Sequence, residues 1–356
     1  VWLSEVEAAE PTLAGASTAA PVDPVLFRYS ARSIHGSRWG PIGELQRALS
    51  AVAVDCGLPP VMDDGVFGRG TRDTLISVST CRSWASADGA VSADTWRSLV
   101  HTDSPTARDR AVAMTLTFEA TDFDRMEWNF RTRGDERSVL TWGPFGATAG
   151  WGGEVQAVLR AVDAIDPALL DRAFGPEVAT ARRLTASPPD DAFGLLQPVF
   201  DAEPRRRRWV DAFAALGAEP AVRSTYFEVA FRPEWLGGAL DRLRSLLPGP
   251  ATEVDAAFFL DLAVHTAIRP ERLDAARAAI SEAEATHPLT AAERRREIGE
   301  AFATPLGRWQ EHRRGRNVCY TIDDLPPTAA EQAAWEAFGR LRASDVGLSD
   351  ERVAGW

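Results

Sequence analysis

The chain has 356 residues, 45% of them hydrophobic, and a net charge of −12 from 39 basic and 51 acidic side chains. The acidic balance argues against a nucleic-acid partner. No apolar run approaches the ~20 residues of a membrane helix; the longest, AAFFLDLAV, is interrupted by Asp261.

Residues 1–36 are rich in Ala, Pro, Thr and Ser and read as a leader or linker. They lack the basic start and apolar core of a signal peptide, so this sequence does not explain any export. A small module is expected over 37–102. Leu45, Leu49 and Val52 have helical spacing. A loop with Gly65, Gly68 and Gly70 follows, with Thr71 as the expected cap of a second helix. A turn at Asp88-Gly89 precedes a third short helix, with Ser92 as cap and Trp96 and Leu99 on one face. Cys56 and Cys81 fall in this module, either as a disulfide pair or as buried thiols; a pair would suit a periplasmic or extracellular site of action. Three cysteines and five histidines show no metal-ligand spacing, and no cofactor is expected.

From 104 to 356 the pattern is mostly helical. Helices are expected over 105–120 and in GGEVQAVLRAVDAI, ATEVDAAFFLDLAVHTAI and PERLDAARAAISEAEA. Two more open with capping boxes, at Thr290/Glu293 and Thr328/Glu331. The four arginines at 205–208 read as a solvated helix start. SVLTWGPF, 138–145, is the one clear extended stretch. The expected fold class is therefore α+β, predominantly α, with a small sheet near residues 130–148.

Residues 117–137 carry six acids. Glu119 ends an apolar helix, where desolvation would favour its protonated form. Asp135 lies at the start of the strand. Two carboxyls from separate elements facing one cleft are what glycoside hydrolysis requires, one as acid and one as base or nucleophile. Asp122, Asp124 and Glu127 are expected to face solvent, and Glu136 to line the cleft or pair with a neighbouring arginine. Asp261, set among apolar residues, needs a charged partner. Trp128, Trp142 and Trp151 supply aromatic faces that suit either sugar stacking or core packing.

The module's Leu45, Gln46 and Leu49, then Asp64, Gly65, Phe67, Gly68 and Thr71, then Asp88, Gly89, Val91, Thr95, Trp96 and Leu99, resemble the three-helix peptidoglycan-binding module. Glu119, then Gly134, Asp135 and Arg137, then Thr141, Gly143, Gly146, Gly150 and Gly152, resemble the family 46 chitosanases and related peptidoglycan-cleaving enzymes. This second resemblance covers 104–165 best. It implies a lysozyme-like two-lobed fold and an inverting mechanism. Glu119 would be the general acid, Asp135 the general base, and Thr141 would hold the attacking water. Arg137, Trp142 and Trp151 would line or support the substrate cleft. Asp261 would support the site from behind, with Arg313 as its partner.

The chain departs from that pattern at Ala120, at Glu136, by one extra residue before Thr141, and in the AGWGG run. These departures, together with the wall-binding module, favour peptidoglycan glycan strands over chitosan. The activity expected is a muramidase-type hydrolase acting at the cell wall, in the periplasm or outside the cell. A chitosanase is the second reading; a non-catalytic wall-binding or particle protein is the third. A phage particle or an injection machine would be a compatible delivery partner.

Overall fold

The computed structural model describes residues 23–84, 88–119, 121–130 and 138–353. Asp135, Glu136 and Arg137 lie outside the described residues. The chain is predominantly helical with small sheets, an α+β fold.

The N-terminal module contains α1 (Pro41–Asp55), α2 (Arg69–Arg82) and α3 (Ala93–Val100). Their apolar faces meet in a core of Leu45, Leu49, Leu75 and Trp96. Gln46, buried in α1, ties the first loop: its amide donates to Asp64 (2.8 Å) and the Val66 carbonyl (3.0 Å) and accepts from the Gly65 amide (2.8 Å). Cys56 and Cys81 form a disulfide joining the ends of α1 and α2. Ser92 caps α3 through the Thr95 amide as expected. Thr71 does not cap α2; Gly68 holds that position, and the Thr71 hydroxyl is instead buried beside Gln46 (3.2 Å).

The module extends further towards the N-terminus than the composition suggested. Strand β1 (Val25–Phe27) pairs with β4 (Val91–Ser92), and β2 (Ile34–His35) pairs with β3 (Val66–Phe67), all antiparallel. Leu26, Phe27 and Ile34 are buried, so residues 25–35 are part of the module and not a linker. Low sequence complexity hid three apolar residues that complete the core.

The rest of the chain forms two lobes. One holds the sheet β5 (Met126–Trp128), β6 (Ser138–Trp142) and β7 (Ala147–Gly150), followed by α5 (Glu154–Ile165), α6 (Pro167–Phe174), α7 (Val178–Ala186), α8 (Ala192–Asp201), α9 (Glu203–Ala218) and α10 (Pro220–Ala230). The expected strand 138–145 ends at Trp142. Gly143 turns the chain there with φ 78°, and a Cβ on it would lie 2.6 Å from the Tyr226 ring. In α9, Arg205 and Arg208 are not merely solvated: both pair with the buried Glu177 of the 3-10 turn before α7.

The other lobe is built on α4 (Ala107–Glu119), which packs along α12 (Glu253–His265). Residues Val254 to Leu262 of α12 are all buried, as suits a helix apolar on every side. Around this pair sit α11 (Leu236–Arg244), α13 (Pro270–Glu284), α14 (Ala291–Ala303), α15 (Gln310–Val318) and α16 (Ala329–Ala334). Both expected capping boxes are present, at Thr290/Glu293 and Thr328/Glu331. The C-terminal segment closes the lobe. Arg295, fully buried, pairs with Asp255 of α12 (2.9 Å) and with Asp350 (2.8 Å).

The module is docked on this lobe through directed bonds. Asp122 is half-buried rather than solvent-facing: it accepts from the Ser37 hydroxyl (2.7 Å), the Arg38 amide (2.8 Å) and its own neighbour's amide at Phe123 (2.7 Å). The His35 amide donates to the Thr117 hydroxyl (3.0 Å), and the Arg28 amide to the Asp345 carbonyl (2.7 Å). Asp124 and Glu127 are exposed, as expected. Replacing Asp122 by Ala orphans three donors at the seam and should lower unfolding free energy by about 2–3 kcal/mol. Urea unfolding measures this; an unchanged midpoint would show that the seam does not depend on Asp122.

Candidate functional site

Glu119 is the last residue of α4, where the chain passes from one lobe to the other. Its side chain keeps 26% of its surface exposed. Arg316 of α15 donates to Glu119 Oε1 at 2.7 Å. The same guanidinium turns its other edge to Asp261, pairing with both carboxylate oxygens. Asp261, on α12, is 0% exposed and also pairs with the guanidinium of Arg313. The Arg313 Nε donates to Asn317 Oδ1 at 2.7 Å, which fixes its plane.

This is a closed chain of charge: one buried carboxylate, two buried guanidinium groups, and one carboxylate at the surface. Burial pushes the Asp261 pKa up, but Arg313 and Arg316 outweigh it and hold it at about 2. The expected Asp261–Arg313 pair is present. Arg316, the residue that links Asp261 to Glu119, was missed. Its signal was available: Arg313 and Arg316 are three apart on one helix, so both face the same neighbour.

Phe118 supports Glu119 from the side. Its ring lies 4.8 Å from the Arg316 guanidinium and 5.3 Å from that of Arg32. Arg32 comes from the N-terminal module. It donates to the Phe338 carbonyl (2.7 Å) and the Thr117 carbonyl (3.1 Å). The module therefore reaches the surroundings of Glu119 through one long side chain.

One turn along α12 and α15 from the charged pairs, His265 and His312 lie with ring centroids 5.4 Å apart. Burial, then Arg316 and Arg313, pushes the His265 pKa down to about 3. Burial and the same arginines also push His312 down. Both rings are neutral near pH 7. His312 in turn touches Trp309 and Phe338, two of the exposed large apolar side chains. An aromatic strip thus continues along α15 from Arg316, and sequence reading missed it because the spacing of 309, 312 and 316 lies in an arginine-rich, polar-looking stretch.

Thr141 lies in β6, half-buried, and its hydroxyl accepts from Asn129 at 2.7 Å. Among the described residues no contact joins Thr141 to Glu119. Trp142 is not available to a ligand. It is 1% exposed, donates from Nε1 to the Phe123 carbonyl (2.8 Å), and packs on Phe213 and Tyr226. Alternation along β6 turns Trp142 into the core, away from the half-buried Thr141 face. Trp128 likewise packs among Phe130, Phe200 and Trp209. Trp151 is 56% exposed at the end of β7.

No group of His, Cys, Asp and Glu among the described residues is arranged to hold a metal ion. No described helix is long and apolar enough to cross a membrane. Comparison of the chain with protein-family models, with curated proteins and with solved structures finds no match.

The half-buried histidines predict a pH dependence. Between pH 6.5 and about 3, the unfolded chain protonates His265 while the folded chain does not. Stability should fall as pH drops through that window, by up to about 1.4 kcal/mol per pH unit for this group. Asp261 adds a lower window: its contribution is complete above 3.8 and is lost as pH falls through about 2. His265→Gln should flatten the dependence of the denaturant midpoint on pH in the upper window. Identical slopes for variant and wild type would contradict a neutral His265 imidazole.

Proposed function

We propose that the chain is a glycoside hydrolase that cleaves β-1,4 bonds in the glycan strands of peptidoglycan, with Glu119 as general acid. The observation that carries this reading is the way Glu119 is held. Arg316 fixes Oε1, and Arg316 is itself locked by a fully buried partner, Asp261. Oε2 is left without a hydrogen bond among the described residues. A carboxyl oriented through one oxygen and open at the other, at the junction of two lobes, is placed to face a glycosidic oxygen, and it delivers a proton there only in its protonated form. Preorganisation of this kind does not have to be assembled when substrate arrives.

In this reading Asp135 is the general base and Thr141 helps seat the water, with inversion at the anomeric carbon. An inverting pair stands ~6.5–9.5 Å apart, which leaves room for that water. Arg137 would line the cleft near the base. Trp309, Phe338 and exposed Trp151 are the aromatic faces offered to sugar rings; Trp142 is not among them. The small module, similar in its motifs to wall-binding modules, supports peptidoglycan as the polymer. The site of action is then the cell wall, and a phage particle or an injection machine is a compatible carrier.

Glu119→Gln removes the transferable proton while keeping an acceptor for Arg316. Hydrolysis of purified sacculi should fall by about 10²–10⁴-fold, with the circular dichroism spectrum unchanged. Mass spectrometry of products from sacculi and from chitosan separates the polymers. Muropeptide products support the reading; release of glucosamine oligomers alone would make the protein a chitosanase. No product from either polymer with wild-type protein would leave a wall-binding protein without hydrolase activity.

A further inference from the structure

A cleft of about 940 Å³ opens along the N-terminal half of α4, away from Glu119, where the module meets both lobes. Its volume lies within the range of ligand sites, and a seam between units is where such sites are commonly found. Trp39 and Glu44 line it from the module, Arg108 from α4, and Arg223, Phe227 and Glu228 from α10.

Two arginines face this cleft. The buried arginines hold carboxylates: Arg110 with Glu253, Arg294 with Glu284, Arg295 with Asp255, Arg313 and Arg316 with Asp261, whereas Arg108 and Arg223 are half-buried. Arg108 and Arg223 have no carboxylate partner among the described residues. Both are nonetheless held in place. The Arg108 guanidinium lies 3.7 Å over the Phe231 ring, and that of Arg223 lies 4.8 Å from the Trp39 ring. Arg223 also donates to the Gly217 carbonyl at 2.9 Å. Burial pulls both guanidinium groups below their ordinary pKa and outweighs the nearby acids, Asp109 for Arg108 and Asp122 and Glu219 for Arg223, none of which bonds the guanidinium directly. The Trp39 Nε1–H is buried with no acceptor. The remaining N–H groups of two oriented guanidinium forks and a buried indole N–H with no acceptor make a set of donors.

Acids also line the cleft, so a plain polyanion is excluded. Asp109 is committed to the Thr106 amide (2.9 Å) and hydroxyl (2.7 Å). Glu228 is exposed and Glu44 half-buried. A ligand that fits bears separated carboxylates and an amine. Arg223 lies in α10 and Phe231, which carries Arg108, is the residue that caps its C-terminus, eight residues on, about 12 Å at the α-helical rise. An extended peptide covers that span in about three to four residues.

We propose that this cleft binds the short peptide branch of the wall polymer, with its carboxylates on Arg108 and Arg223 and its amine on Glu228 and Glu44. The assignment rests on peptidoglycan being the substrate. It gives the module–body seam a role in substrate choice, because chitosan carries amines but no carboxylates.

Isothermal titration of the full chain with the free wall tetrapeptide, Ala-D-isoGlu-Lys-D-Ala, tests this directly. Saturable binding is expected, weakened at least about tenfold when both carboxylates of the peptide are amidated, a loss of one charge-assisted pair or more. Arg223→Gln and Arg108→Gln should weaken binding similarly while leaving cleavage of peptide-free glycan strands unchanged. Absence of binding at millimolar peptide, or equal binding of the diamide, overturns the proposal. Sacculus cleavage without peptide binding defeats the cleft assignment alone. Peptide binding without sacculus cleavage supports the cleft and defeats the hydrolase reading.

Discussion

A carboxylate cannot be taken out of water alone, and Asp261 is taken out of water completely. That constraint organises the larger part of the molecule. Asp261 sits in the middle of the most buried helix, so its partners must come from a neighbouring helix packed closely enough to reach it. Arg313 and Arg316 of α15 do so. Their guanidinium groups would in turn be unsatisfied unless further acceptors were present, and Asn317 and Glu119 provide them. The position of Glu119 is thus a consequence of burying Asp261. The use of arginine alone among cationic side chains fits this design, because one planar fork can bond two carboxylates at once, which an ammonium does less well.

The N-terminal module is joined to that organisation. Arg32 spans from the module to the carbonyls of Thr117 and Phe338 and covers one side of Phe118. Asp122, just past Glu119, receives two donors from the module. The module is thus bonded to Thr117 and Asp122, which lie on either side of the candidate acid in the chain.

Much of the fold was legible. Helical periodicity, capping boxes and Asp-Gly turns act locally, and Thr290/Glu293, Thr328/Glu331 and Ser92 all do what their spacing implies. What failed depended on long-range packing. Thr71 looked like a cap but was drawn inward by Gln46. Asp122 looked solvated but receives the module. Residues 25–35 looked like linker because three buried side chains carry little compositional weight. Trp142 suited either sugar stacking or core packing, and the alternation of β6 decides for the core. At the site, the need of Asp261 for a partner was readable from its apolar surroundings, as was Arg313. The bridge through Arg316 to Glu119 was not, because it joins residues nearly 200 positions apart, and no local pattern encodes that (separation 197).

The central claim is that Arg316 holds Glu119 in its working position while balancing Asp261. Arg316→Lys keeps the charge but removes the fork. The decisive measurement is the steady-state rate of sacculus hydrolysis by this variant, with folding checked by circular dichroism. The account predicts a fall in kcat of at least about tenfold with KM little changed, since the lost contact positions a reacting group and not the substrate. A folded Arg316→Lys protein with the wild-type kcat would contradict it.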